Sequence, residues 1–337
     1  MMINPGSSEK NPALMPMPDP PSQYSVENSI SEELLRLSFK DRLAIEEEIH
    51  GVRCGAMEET PQLIAKSLRD FDNEINLRKE QAEATPELDH KNIRNLLRNV
   101  VRTDSSHILQ SPSATINSSS LSSRVAPKNN SKEVKSTCYL NDDNVRLRFL
   151  RCDGFDVDKA VERLIMFLDF NSDIFGDYIC EREMSISDFH TKEEENHLKL
   201  SRTQYVQFRD RSGRRILVTV GTCNFHMDVV IRSKILMYLH WTVSEDIETQ
   251  RKGVVILLWP FDEDGGGNLH WEKAIRPYLQ KDASEYQLKL NSAMPVRVAS
   301  RQMYFRDTPF WRALCSIYVF YSLKPHEKPL FKAHFGT

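Results

Sequence analysis

The chain has 337 residues, a formal net charge of −3 and 40% hydrophobic residues. A charge this close to neutral excludes a broad nucleic-acid footprint, which needs a strong positive excess. The length allows one large domain with flexible additions, and the modest apolar content predicts an ordered core carrying polar segments.

The first thirty residues are rich in Pro, Ser and Asn and are expected to be disordered. They lack a basic stretch followed by an apolar run, so they do not read as a signal peptide. Residues 31–50 change character. Leu35, Phe39 and Leu43 recur every four residues, which predicts an amphipathic helix starting near Ser31 and stopping at Gly51. Weaker helical patterns follow over 61–81 and 88–102, with Pro61 and Pro86 where helices can begin. Residues 31–104 are therefore read as a helical N-terminal region. A serine-rich stretch at 105–137 reads as a flexible linker.

Beyond it the pattern is denser. Residues 141–150 predict a helix, and residues 155–158 open a second one with Ala160, Val161, Leu164 and Leu168 on one face. Asp156 or Asp158 is its expected cap. Arg148 and Arg151 are expected near solvent or paired with nearby acids. The charged stretch 185–200 is helical or irregular. Residues 215–220 read as a strand and 229–241 as an amphipathic helix. The apolar run 253–258 is too short for an ordinary helix, so it suits a strand covered on both faces. A helix at about 271–290, a short strand at about 301–305 and an apolar helix at 311–323 complete an α/β order with a mixed or parallel sheet.

Six cysteines are spread along the chain without a CxxC pair, which predicts reduced thiols in an intracellular protein. No GxSxG, HExxH or GxxxxGK[ST] motif is present, so the reading is of a non-enzyme. The acidic, glycine-rich segment 262–268 fails as a calcium loop, because Gly266 falls at the fifth ligand position and Lys273 at the twelfth. His190, His197, His226, His240 and His270 form no recognised metal spacing, and no metal or cofactor is expected. No apolar run approaches the roughly 18 residues of a spanning helix.

The segment from Val145 to Ala160, VRLRFLRCDGFDVDKA, resembles the helical N-terminal part of the CRAL-TRIO (Sec14-like) lipid-binding family. There a helix ending in LRFLR meets the next through an x-Phe-Asp-x-x-Lys-Ala turn. In the same order, residues 210–218, 229–241, 253–262, 293–297 and 311–325 resemble the family's first strand, following helix, central strand, proline-x-arginine element and gate helix. The resemblance covers about 139–337. It implies an α/β CRAL-TRIO fold, with a helical subdomain at 138–200 and a lipid-binding domain at 201–337.

The implied function is binding, with possible intermembrane transfer, of a lipid or other hydrophobic small molecule in an apolar pocket closed by a gate helix. The implied setting is cytoplasmic with peripheral, transient membrane contact. The lining candidates are Ile256, Leu258, Phe261, Phe305, Phe310, Leu314, Ile317 and Phe320. The alternative is a membrane-associated regulatory or scaffold module that keeps the fold, fills its pocket with side chains and lacks transfer activity. Val296 and Phe320 stand where phosphatidylinositol binders of the family carry a glutamate and a lysine, and Asp307-Thr308-Pro309 replaces an Asn-Ala-Pro sequence. Arg297, Lys324 and Lys328 are the remaining headgroup candidates. Family members continue past the position of Thr337, so the resemblance implies a truncated or divergent ending.

Overall fold

A computed structural model of the protein describes residues 23–84, 138–221, 227–259 and 281–336. The expected linker at 105–137, the glycine-rich segment at 262–268 and candidate Phe261 lie outside them.

The first helix, α1 (Gln23–Leu35), begins inside the stretch expected to be disordered. Its order comes from docking, since Val26 is buried and Ile30 packs beside it in an apolar cluster. The expected single helix over 31–50 is instead two. The chain breaks at residues 36–38, and α2 (Phe39–Ile49) starts afresh with the Ser38 hydroxyl accepting from the Asp41 N–H at 3.1 Å. That side-chain bond satisfies one of the amide groups a helix start leaves free. The supposed buried stripe fails with the break: Leu35, Phe39 and Leu43 are 70%, 75% and 47% exposed.

Helix α3 (Pro61–Ala84) begins at a proline and buries Phe71 and Ile75. It packs in one cluster with α4 (Asp143–Cys152) and α5 (Val157–Phe175). On α5, Ala160, Val161, Leu164 and Leu168 share the buried face. Phe149 and Phe167 meet edge-on at 5.4 Å. Arg146, only 1% exposed, pairs with Asp72 of α3 and donates to the Leu140 carbonyl at 3.0 Å, fixing α3 to the start of α4. A short α6 (Lys192–Leu200) follows, with a capping box between Thr191 and Glu194.

The sheet runs β1 (Thr203–Arg209), β2 (Arg215–Val220), β3 (Val254–Trp259), β4 (Val298–Arg306) and β5 (Phe331–Gly336), in that spatial order. β1 is antiparallel to β2, and the other neighbours are parallel. The parallel pairs are bridged by α7 (Val229–Val243) with α8 (Ile247–Lys252), by a connection ending in α9 (Lys281–Ala293), and by α10 (Pro309–Tyr321). Right-handed crossovers between sequential strands place such helices on one sheet face. Register agrees with this: Leu258 pairs with Met303 and Phe305 with Phe335, and these four pack in one cluster with α10.

Arg148 corrects another expectation. It is buried, its guanidinium lies 4.3 Å from the Trp241 ring centre, and it donates to Ser244 Oγ at 3.2 Å. Stacking lets a weakly hydrated guanidinium leave water at modest cost. Arg151 forms a two-pronged pair with Glu59, at 2.9 and 2.8 Å. Among the described residues, no helix is long and apolar enough to cross a membrane.

Candidate functional site

The site is built from the joint between α4 and α5. Helix α4 ends in two nested bonds: Gly154 N–H to the Arg151 carbonyl at 3.3 Å, and Phe155 N–H to the Leu150 carbonyl at 2.7 Å. This closure requires a left-handed residue after the helix, and Gly154 at φ +61° supplies it. Phe155 follows at φ +64°, an unusual conformation for an aromatic residue, held by packing in the same apolar cluster as Leu150. Asp156 then caps α5 through the Lys159 N–H at 3.2 Å.

This tight reversal brings Asp153 back over α5, where Arg163 meets it with two bonds of 2.6 and 2.8 Å. The third arm of Arg163 reaches the end of α9, donating to the Ser292 carbonyl at 3.0 Å and the Met294 carbonyl at 3.3 Å. A cation is favoured there, because the last carbonyls of a helix carry partial negative charge. Burial alone would lower the Arg163 pKa, but Cys152 and Asp153 raise it above the ordinary value. One arginine thereby joins the helical bundle to the α9–β4 turn.

The space left around this joint is a cleft of about 570 Å³. Its walls are the α4–α5 joint, the turn from Asn291 to Val298, and the helical turn Pro325–Leu330. Lys159, Arg163, Arg297, Arg301 and Lys324 line it against Asp153, Glu162 and Glu327, so five cations face three carboxylates, a balance of +2 with His326 left out of the count. Most of these cations are engaged. Arg301 meets Glu327 at 2.9 Å, and Arg297 meets Glu48 of α2 at 2.8 Å and the Lys252 carbonyl at 3.0 Å. Burial pulls the Arg301 pKa down, yet Tyr318 and Glu327 hold it above normal. Lys159 pairs with Asp156 at 2.7 Å. Lys324 forms no ion pair with any described residue, although its N–H bonds Glu327 at 2.9 Å.

The headgroup candidates divide. Arg297 and Lys324 line the cleft; Lys328 does not, its ammonium donating to Ser29 Oγ of α1 at 2.8 Å and lying 5.3 Å from the Phe320 ring centre. Val296 is buried at the cleft wall. Among the described residues, none of the apolar lining candidates borders the cleft. Phe305, Leu314 and Ile317 are buried together, with Leu258, Phe310 and Phe320 half-buried around them, and Ile256 is buried on β3. Phe305 stacks on Trp311 and on Phe335 at 5.7 Å each. The apolar girth of α10 is matched by the sheet and by α1, whose Val26 and Ile30 join the same cluster.

Polar groups also occupy the interior. His240 is buried with Nδ1 bonded to the Leu236 carbonyl at 2.7 Å, and burial pushes its pKa down to about 4. Arg232, Arg301 and Tyr318 are buried as well. Burial likewise raises the thiols of Cys152 and Cys180 to about 11 and Cys315 to about 12, well outside the reactive range. The cleft residues Asp153, Lys159, Arg163, Arg301 and His326 were not candidates from sequence. Arg301, a charge inside an apolar strand, was the available signal. No family model matches the chain, and no curated protein matches it.

Proposed function

We propose that the chain is a lipid-binding module of the Sec14-like kind that receives the anionic headgroup of a phospholipid in the cleft between the α4–α5 joint and the α9–β4 turn. We read it as a binding protein working at a membrane surface rather than as an enzyme. The observation that carries this is Lys324, an ammonium without an ionic partner among the described residues, on a cleft of net positive charge. A phosphate oxygen favours such charge-assisted donors. The volume lies within the range of small-ligand sites. Val296, with no polar atom in its side chain, offers an inositol ring nothing to bond, so the preferred lipid has a smaller headgroup. The test is transfer of labelled phospholipids between vesicles by the wild type and by Lys324→Glu. Loss of transfer of anionic lipid supports the reading. Equal transfer by both proteins, or strong selectivity for phosphatidylinositol, refutes it.

A second reading, a scaffold that keeps the fold without carrying cargo, is favoured by the packing of α10 between the sheet and α1 and by the buried polar groups beside it. Mass spectrometry of an organic extract separates the two. A stoichiometric co-purified lipid supports the carrier, and none, with no transfer, supports the scaffold.

A further inference from the structure

The α1–α2 hairpin is anchored near both far ends. On α1, Val26 and Ile30 pack against α10, and Ser29 accepts from Lys328 at 2.8 Å. On α2, Glu48 meets Arg297 at 2.8 Å, its carbonyl accepts from Arg214 at 2.7 Å, and the Ile49 carbonyl accepts from Gln302 at 3.3 Å. Between these anchors the chain turns at residues 36–38 and displays Leu35 and Phe39, with Leu43 one turn further along α2. Isolated apolar side chains on a surface need no explanation, but three large ones around one turn do. The turn is held by its Ser38 cap, so the exposure is not that of a frayed end.

Charge around the tip has a matching sense. From Leu34 to Leu43 the cations Arg36, Lys40 and Arg42 stand against Asp41, a balance of three minus one, or +2, with Glu32, Glu33 and Glu46 just outside that span. Arg36 leans on Glu33 at 3.0 Å, and Lys40 is exposed. Of the acidic run that follows, Glu48 is turned inward to Arg297 and Glu47 lies 4.0 Å from Arg53. The result is an exposed group of apolar side chains with Arg36 and Lys40 beside it. A protein partner would need a groove cut to that shape. A bilayer interface accepts separate apolar side chains at any spacing and places cations at its phosphate level.

We propose that the α1–α2 turn is a membrane-docking point that inserts Leu35, Phe39 and Leu43 into an anionic bilayer, with Lys40 and Arg36 at the headgroups. This surface is separate from the cleft and does not depend on cargo.

The experiment is co-sedimentation of the full chain with vesicles of phosphatidylcholine alone and of phosphatidylcholine mixed with phosphatidylserine. The wild type is expected to partition onto the anionic vesicles, with binding that falls as salt rises. The double variant Leu35→Ser/Phe39→Ser should lose about a hundredfold in partitioning, from the apolar burial it gives up. Its melting temperature should be unchanged, because both positions are exposed. Phe208→Ser, at another exposed apolar position on β1, should bind like the wild type. Lys40→Glu should weaken binding to anionic vesicles, which keeps the test open if the double variant unfolds. Lys324→Glu should leave docking intact, so failure of the headgroup reading is seen separately. Vesicle binding unaffected by the double variant overturns the proposal. So does a wild-type dimer that the double variant dissolves without any vesicle binding, which would make the tip a contact between copies.

Discussion

Replacing Arg163 by Met tests whether one ion pair holds the helical bundle to the sheet domain. The substitution keeps a long apolar stem but removes the guanidinium. It leaves Asp153, whose side chain is 9% exposed, without its two-pronged partner, and leaves the Ser292 and Met294 carbonyls without their shared donor. Breaking a buried pair on one side costs about 3–5 kcal/mol, because a desolvated charge is stranded. Arg163 itself is 22% exposed, so water screens part of the loss and the lower end of that range, about 3 kcal/mol, is expected. That corresponds to a fall in melting temperature of roughly 6–12 °C for an ordered region of this size. Asp153→Asn in the same chain removes the stranded charge. The double variant should therefore recover much of the loss, giving a coupling of about 2 kcal/mol in a double-mutant cycle. Urea unfolding of the four proteins supplies every value needed. A cost below about 1 kcal/mol for Arg163→Met, or additive single effects, would refute the latch.

Two further outcomes follow from the buried charges. His240 has its pKa depressed to about 4, so its stabilising contribution is full above the unfolded value of 6.5 and is lost as pH falls from there toward 4. The full effect is about 3 kcal/mol. Denaturant titrations at pH 7 and pH 4 should show that His240→Leu removes this share of the acid sensitivity, and an unchanged pH dependence would contradict it. Glu48→Gln should free Arg297 for a ligand and raise binding of anionic lipid several-fold. A loss of binding together with stability would mean that Glu48 only holds the wall in place.

The elements legible in the sequence were those whose stabilisation is local or strongly apolar. The strand at 215–220 coincides with β2, and the central run at 253–258 with β3, because a sheet interior demands unbroken aliphatic character. Helix α10 was legible from its girth, although the partner that covers it was not. That partner, α1, has too few apolar residues to announce itself and is ordered by Val26 and Ile30 docking on a helix nearly three hundred residues later in the chain. The outer strands were missed for a related reason. β1 mixes half-buried and exposed positions without strict alternation, and β5 is six residues long with both polar and aromatic members. Arg148 was misplaced because its environment is Trp241, distant in sequence. Of the cleft only Arg297 and Lys324 were legible, since residues 152–166, 291–301 and 324–330 are far apart in sequence and are brought together by tertiary packing.

The pairing within the cleft determines what can enter it. A ligand anion gains little from Arg163 or Arg301, because each must first release a carboxylate it already holds in a dry setting. It gains more from Lys324, whose charge has no competing carboxylate among the described residues, and from Arg297, whose partner Glu48 is carried on the separate hairpin α1–α2. The two cations therefore differ in kind: Lys324 has no ionic partner among the described residues, and Arg297 is freed by moving Glu48. By reciprocity, any anion that binds tighter when Arg297 is free must also favour the released hairpin.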